Sequence, residues 1–224
     1  MSIPRTAFIT GASQGLGRAL ALRLAENGFS LALVARSRPE LLAATEAARA
    51  AGAPRVLALV GDVGRKEDIH ALVGLALAEL GSVGVLINNA STLGPTPLPL
   101  LSDTECEDFS AVLEVNLLGP FRLTRALLPA MTLRGSGLVI NISSDAASSA
   151  YPRWGAYGSS KAALAQLTAI WGAELEGTGV RLRSVDPGEM NTRMHRDAIP
   201  DADPATLADP GEVARRILRE VELC

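Results

Sequence analysis

With 224 residues, 48% of them hydrophobic and 20% charged, the chain has the length and apolar content for one globular domain with a full core, which excludes a disordered or fibrous protein. A formal charge of −3, with no Lys/Arg block along the sequence, removes nucleic acid and anionic membrane surfaces from the expected partners. No apolar run reaches the ~20 residues of a bilayer-spanning helix, the opening MSIPRTAFIT lacks a signal-like apolar region, and Cys106 and Cys224 have neither metal-binding nor redox spacing. A soluble cytoplasmic protein with reduced thiols and no metal is expected.

Short apolar runs alternate with amphipathic segments along residues 1–224, read as a single domain. The first run, TAFIT, enters TGASQGLG (residues 10–17) and then GRALALRLAENG, whose apolar positions recur at helical spacing until Gly28 stops the helix after Asn27. In that turn Gly11 permits a tight bend, Gly15 lets backbone approach a pyrophosphate, and Gly17 lets helix pack closely on strand. Ser13, Gln14 and Leu16 complete the loop, and the helix N-terminus offers free N–H groups to phosphate. A glycine turn without a ligand is the alternative; its place in the first strand–helix unit of a longer alternation favours a dinucleotide.

The second run, LALVA, ends in Arg36-Ser37-Arg38 where an NAD site would carry a carboxylate for the ribose 2′-hydroxyl. Arg36 suits a 2′-phosphate, with Ser13 as a further donor, so NADP(H) is expected over NAD(H). Arg38 reads as a solvated loop residue. VLALV is followed by GDV, in which Asp62 either accepts from an adenine amino group, with Val63 against the ring, or caps the next helix. VGVLIN, GLVINIS and VRLRSV complete six runs, separated by a helical stretch from about Thr104 to Met131 that Pro120 should kink. The last helix opens at DPGE, with Asp209 as N-cap, Pro210 at N1 and Glu212 at N3. Such alternation implies right-handed crossovers and a parallel sheet covered on both faces, an α/β fold.

YGSSK, residues 157–161, places Tyr157 and Lys161 on one helix face. The spacing alone is common and decides nothing. Together with TGASQGLG, GDV, NNA at 88–90, VNLLGPF around Asn116, VINISS ending at Ser144, and DPGEMNT at 186–192, it resembles the short-chain dehydrogenase/reductase family in motif order and spacing across essentially the whole chain. The resemblance implies a Rossmann-like doubly wound sheet of order 3-2-1-4-5-6 and NAD(P)-dependent carbonyl or alcohol oxidoreduction. It also implies a catalytic group of Asn116, Ser144, Tyr157 and Lys161, the family's serine lying thirteen residues before its tyrosine and so selecting Ser144 over Ser143. Asn88, Asn89, Ala90 and Ser91 match the cofactor-lining stretch, with Ser91 in place of its glycine. Pro187, Gly188, Met190 and Thr192 match the segment beside the nicotinamide.

In that chemistry the cofactor carries the hydride and the protein supplies a proton. A phenol of pKa ~10 donates readily near neutrality but makes a poor base, unless a nearby ammonium favours its phenolate. Tyr157 with Lys161 meets that need, Ser144 would hold the carbonyl oxygen, and Asn116 would hold a water linking Lys161 to solvent, with Pro120 leaving the Asn116 carbonyl free. Leu93, Trp154, Met190 and Met194 are the expected substrate wall, with Arg153 either a polar anchor or solvated. ARS, STLG and WGAYGSSK resemble the sepiapterin reductase subgroup without fixing a pterin substrate. The family usually continues to a seventh strand where this chain ends at REVELC. A homodimer through the two long helices (about 104–131 and 156–176) is therefore expected ahead of a tetramer, around a more open site. A non-catalytic NADP(H)-binding sensor is the alternative function, while a sugar-nucleotide epimerase conflicts with the glycine spacing.

Overall fold

Side chains on a strand alternate between faces, and each apolar run of this chain splits its residues between two separate cores. The computed structural model describes residues 3–223; Met1, Ser2 and Cys224, including the expectation of a second reduced thiol, lie outside the described residues. Six strands form one parallel sheet: β1 (Thr6–Thr10), β2 (Ser30–Ala35), β3 (Val56–Val60), β4 (Val85–Asn88), β5 (Gly137–Ile142) and β6 (Val180–Val185), in the order β3-β2-β1-β4-β5-β6. This is the order that the resemblance implied.

Ala7, Ile9, Leu31, Leu33, Val85, Ile87, Leu138 and Ile140 face helix α1 (Gly15–Glu26) and helix α8 (Pro210–Glu220), meeting Leu20, Leu24, Ile217 and Leu218. The intervening residues Phe8, Val34, Leu86 and Val139 face the other layer, built from α3 (Lys66–Leu80) and α5 (Gly119–Arg134), with Leu72, Leu123, Leu127 and Met131 fully or almost fully buried. Helix α2 (Arg38–Ala50) fills the first layer beside β3, and α6 (Gly155–Glu174) lies beside β6 in the second.

The terminal signals hold. Gly28 adopts a left-handed conformation (φ 74°) directly after the C-cap Asn27, and Asp209 accepts from the Gly211 and Glu212 amides at the start of α8. The long stretch around Pro120 differs from a simple kinked helix. Helix α4 (Cys106–Leu113) passes into a π-helical turn, Glu114–Leu118, and then into α5. Pro120 thus sits in the first turn of α5, where its missing N–H costs little, and the irregularity lies just before it, at Asn116. A short helix α7 (Arg193–Ala198), capped by Thr192, follows the loop after β6. No helix among the described residues is long and apolar enough to cross a membrane.

Candidate active site

The carboxyl ends of β1 to β5 open onto a cleft of about 580 Å³. Gly11, Ser13, Gln14, Gly15 and Leu16 line one end; Arg36, Asp62 and Val63 lie at its side; Asn89, Ala90, Ser91, Tyr157 and Lys161 form the other end, with Pro187, Met190, Thr192 and Met194 closing over it.

The glycine turn is shaped by close packing. Gly11 (φ 64°) has Asn89 Nδ2 and the Ala90 backbone where a side chain would begin, 2.8 and 2.9 Å from an added Cβ. Gly17 has no wall on the cleft: its missing Cβ makes room for the Gly11 carbonyl and Asn89. Gly15 is the open one, with only Thr192 at 3.4 Å. Gln14, the N-cap of α1, gives no side-chain hydrogen bond, and no acidic residue sits in the first turn, so the leading amides of α1 point into the cleft unpaired by side chains. A glycine cradle with room at Gly15 and free helix N–H groups fits the pyrophosphate of a dinucleotide.

Thr10 and Asn89 fix this turn to the sheet. Thr10 Oγ1 accepts from the Asn89 and Ala90 amides, both at 3.0 Å, and Asn89 Nδ2 donates to the Thr10 and Gly11 carbonyls at 2.9 and 3.2 Å. Asn88, expected beside the cofactor, is elsewhere. Strand alternation places it with Leu86 on the α5/α6 face, where its Nδ2 donates to Asn141 Oδ1 (2.7 Å) and Asn141 Nδ2 donates to Thr168 Oγ1 (2.8 Å).

At the far side of the cleft, the Arg36 guanidinium is largely exposed and 4.0 Å from Asp62 Oδ2, a loose pair that leaves its donors free. Glu40 joins this wall, a carboxylate that the sequence reading did not place there. Arg38 is the first residue of α2 and lies off the cleft. Asp62 does not cap the next helix: its Oδ1 accepts from Gly64 N (2.9 Å), closing its own turn, while α3 starts only at Lys66.

Tyr157 and Lys161 stand one turn apart on α6, both buried. Lys161 Nζ donates to the Ile142 carbonyl at 2.8 Å and sits 5.5 Å from the Tyr157 ring centroid. Burial pushes the lysine down to about 8 and the phenol up to about 12; the nearby Ser144 and Ser91 hydroxyls pull the phenol back, and Asp186 and Asp145 push it further up. The Tyr157 ring packs with Leu93, Leu98 and Ala146, joined by Trp154 and Met194; Trp154 meets it edge-on at 5.5 Å. Leu93 and Trp154 thus touch the tyrosine from behind and do not line the cleft, whereas Met190 and Met194 do. Gly188 (φ 72°) shapes the loop and is off the cleft wall. Arg153 adopts φ 74° and donates to the Leu98 carbonyl at 3.2 Å, which ties it to the loop under Tyr157.

Two expected roles look different in three dimensions. Ser144 Oγ donates to Asp145 Oδ1 (2.9 Å) and accepts from Ala146 N (3.2 Å). Asp145 is in turn held by the Tyr151 hydroxyl at 2.8 Å, the largest cause of its lowered pKa. The Asn116 carboxamide is fully occupied: Oδ1 accepts from Thr92 N (2.8 Å) and Ser91 Oγ (3.1 Å), and Nδ2 donates to the Thr92 carbonyl (2.9 Å) and Ser160 Oγ (3.0 Å). The side chain therefore has no hydrogen bond left for a water, in contrast to its backbone carbonyl. Its i+4 partner would be Pro120, which has no N–H. Thr10, Thr92 and Ser160 are the supporting residues that sequence reasoning missed; only Thr10, beside the first glycine, carried any signal.

The family model for short chain dehydrogenases matches residues 5–203. The 2-(R)-hydroxypropyl-CoM dehydrogenase of Xanthobacter autotrophicus is 36% identical over 190 residues, covering 85% of this chain and 76% of its own length. The structure of an alcohol dehydrogenase from the archaeon Thermococcus sibiricus, complexed with 5-hydroxy-NADP, matches with a TM-score of 0.86 at 31% identity, over 98% of this chain and 91% of the other. A metagenomic short-chain oxidoreductase in complex with NADP gives 0.84 at 29% identity, over 100% and 93%. Sequence likeness through residues 5–203 and a shared backbone over nearly the full length lead to one conclusion: this chain belongs to the short-chain dehydrogenase/reductase family of oxidoreductases.

Proposed function

We propose that the protein is an NADP(H)-dependent oxidoreductase acting on a small carbonyl compound or the corresponding secondary alcohol. The observation that carries this reading is Tyr157 with a buried Lys161 amine 5.5 Å from its ring, at the opposite end of one cleft from the glycine turn. A buried lysine costs stability, and a protein that only sensed a nucleotide would have no use for it beside a phenol. When bound, the nicotinamide cofactor supplies or accepts the hydride.

The chain's own residues do the rest. The leading amides of α1 and the open face of Gly15, with Thr192 across from it, would hold the pyrophosphate, and Pro187 lines the same cleft. Tyr157 gives its phenolic proton to the developing alkoxide oxygen of the substrate. Near neutrality Lys161 is charged, since its pKa is about 8, and its positive charge favours the phenolate left behind. Met190 and Met194 line the cleft beside Tyr157 and would keep water from the reacting carbonyl. The solved relatives carrying NADP or 5-hydroxy-NADP support the cofactor assignment. NADPH oxidation against a panel of aldehydes, ketones, diketones and quinones tests the whole reading. Tight NADPH binding with no turnover on any of them would instead favour a sensor.

Arg36 is the 2′-phosphate ligand in this reading, because it is a largely exposed cation on the cleft wall just after β2, where no carboxylate stands. Arg36→Ala should weaken NADPH binding by about tenfold or more, the value of one charge-assisted contact, and leave NADH binding unchanged. Fluorescence titration of both cofactors checks it, and equal affinities in the parent chain sink the assignment.

A homodimer through α5 and α6 belongs to the same proposal. Phe121 stacks on Trp171 at 5.5 Å across the two helices, and Ile170 is 46% exposed beside them. Sedimentation should give twice the chain mass, with Ile170→Asp shifting it to the monomer; a monomeric parent overturns this interface.

A further inference from the structure

Three of the described residues that line the cleft are cations: Arg36, Lys161 and Arg193. Arg36 stands just after β2, beside Asp62, and the buried Lys161 amine donates to the Ile142 carbonyl. Arg193 is the third, and neither the proton transfer nor the 2′-phosphate contact uses it. It is the first residue of α7 and directly follows Thr192. The Thr192 methyl stands 3.4 Å from where a side chain at Gly15 would begin, so this end of α7 lies across the cleft from the glycine turn.

The Arg193 side chain is held loosely. Its Nε is 3.8 Å from Asp197 Oδ2, beyond hydrogen-bond length, and the two side chains are 67% and 51% exposed. The turn it faces is short of positive charge. A pyrophosphate carries two negative charges, whereas the N-terminus of α1 offers the equivalent of about half an elementary charge. Arg18, in the first turn of α1, is exposed and off the cleft wall. The carboxylates among the described lining residues, Glu40 and Asp62, belong to the Arg36 side, so neither competes for Arg193.

We propose that Arg193 grips the pyrophosphate of the dinucleotide from the loop side of the cleft, opposite the leading amides of α1. Its guanidinium leaves Asp197 for the phosphate oxygens, to which its paired N–H donors are matched. The exchange costs little, because an exposed and loose ion pair contributes little. The inference rests on the cleft taking a dinucleotide, as the proposed reaction requires.

Pyrophosphate is common to NADPH, NADH and ADP-ribose, which separates Arg193 from Arg36. In calorimetric titrations of the full chain, Arg193→Ala should weaken all three by a similar factor of about tenfold, the value of one charge-assisted contact at an exposed position. Its thermal midpoint should stay at the parent value, because the side chain is exposed. Arg193→Lys, which keeps the charge and loses the fork, should recover part of the loss. Arg196→Ala is the control. It removes the same charge from the same helix, but Arg196 is off the cleft wall and donates to Asn191 Oδ1 at 3.1 Å. That variant should bind all three nucleotides within about twofold of the parent. Unchanged ADP-ribose binding in Arg193→Ala overturns the proposal: a loss confined to NADPH would assign Arg193 to the 2′-phosphate, and a loss shared with NADH to the nicotinamide end. An equal loss in Arg196→Ala also overturns it, since net charge alone would then account for the effect. The expected loss in a chain that turns over no carbonyl would leave the Arg193 grip standing and defeat the oxidoreductase reading instead.

Discussion

Tyr157→Phe should reduce carbonyl turnover by about 10²- to 10⁴-fold, the usual range for loss of a positioned general acid, roughly 3 to 5 kcal/mol of barrier. The substitution isolates chemistry from folding. The Tyr157 ring, not its hydroxyl, makes the contacts with Leu93, Leu98, Ala146 and Trp154, and phenylalanine keeps that ring. NADPH affinity and thermal midpoint should therefore stay close to the parent values while the rate falls. The pH dependence of the parent adds a sign. With the phenol pushed up to about 12 it is protonated throughout the neutral range, and with Lys161 near 8 its ammonium is present below that value and lost above it. Carbonyl reduction should hold through neutrality and decline as pH rises past about 8, whereas alcohol oxidation, which needs the phenolate, should increase with pH. Rates measured in both directions across pH 6 to about 10 decide it. Retention of turnover within tenfold in Tyr157→Phe would falsify the acid role.

The second large effect is expected at a residue with no chemistry. Gly17→Ala places a methyl group against the Gly11 carbonyl oxygen and 2.5 Å from Asn89 Nδ2, both parts of the turn that holds α1 to the sheet. Neither neighbour can move freely, because both belong to the hydrogen-bonded turn, so α1 must shift outward, and its leading amides leave the place proposed for the pyrophosphate. Overpacking of this kind costs about 1–3 kcal/mol of stability. Loss of two backbone contacts to a phosphate should weaken NADPH binding by about 100-fold or more. Gly74→Ala in α3 is the matched control, because nothing lies within 4 Å of the added carbon. That change should be neutral or stabilising by up to about 1 kcal/mol through helix propensity alone. Calorimetric titration of NADPH against both variants separates the two cases, and equal behaviour would refute the close-packing account of Gly17.

The parallel α/β sheet and the glycine turn could be read from the residues because both depend on local pattern, whereas the strand order came from the resemblance of the motifs to a family. Apolar runs of five or six residues, helical periodicity between them, and glycine just after the first run leave few topologies for a chain of this length. The terminal signals at Gly28 and Asp209 are local in the same sense: each acts on backbone groups within a few positions. Tyr157 and Lys161 also come together through helical spacing alone.

What the sequence could not decide was the direction of individual polar side chains whose partners lie far along the chain. Asn88 and Asn89 are adjacent and identical in type, yet strand alternation sends one to the Asn141–Thr168 pair and the other to the glycine turn. Asn116 meets the Ser91 hydroxyl, the Thr92 backbone and Ser160, so its side chain has no bond left for a water. The π-helical turn at 114–118 arises where a helix must continue past Pro120 while placing Asn116 under α6, a demand of packing and not of propensity. Sequence by itself determined the fold, the glycine turn and the pairing of phenol with amine. The tertiary structure alone decided which hydroxyl is bound to a carboxylate and which to an amide, because a hydrogen bond depends on ångström-scale distance and direction that only the assembled sheet provides.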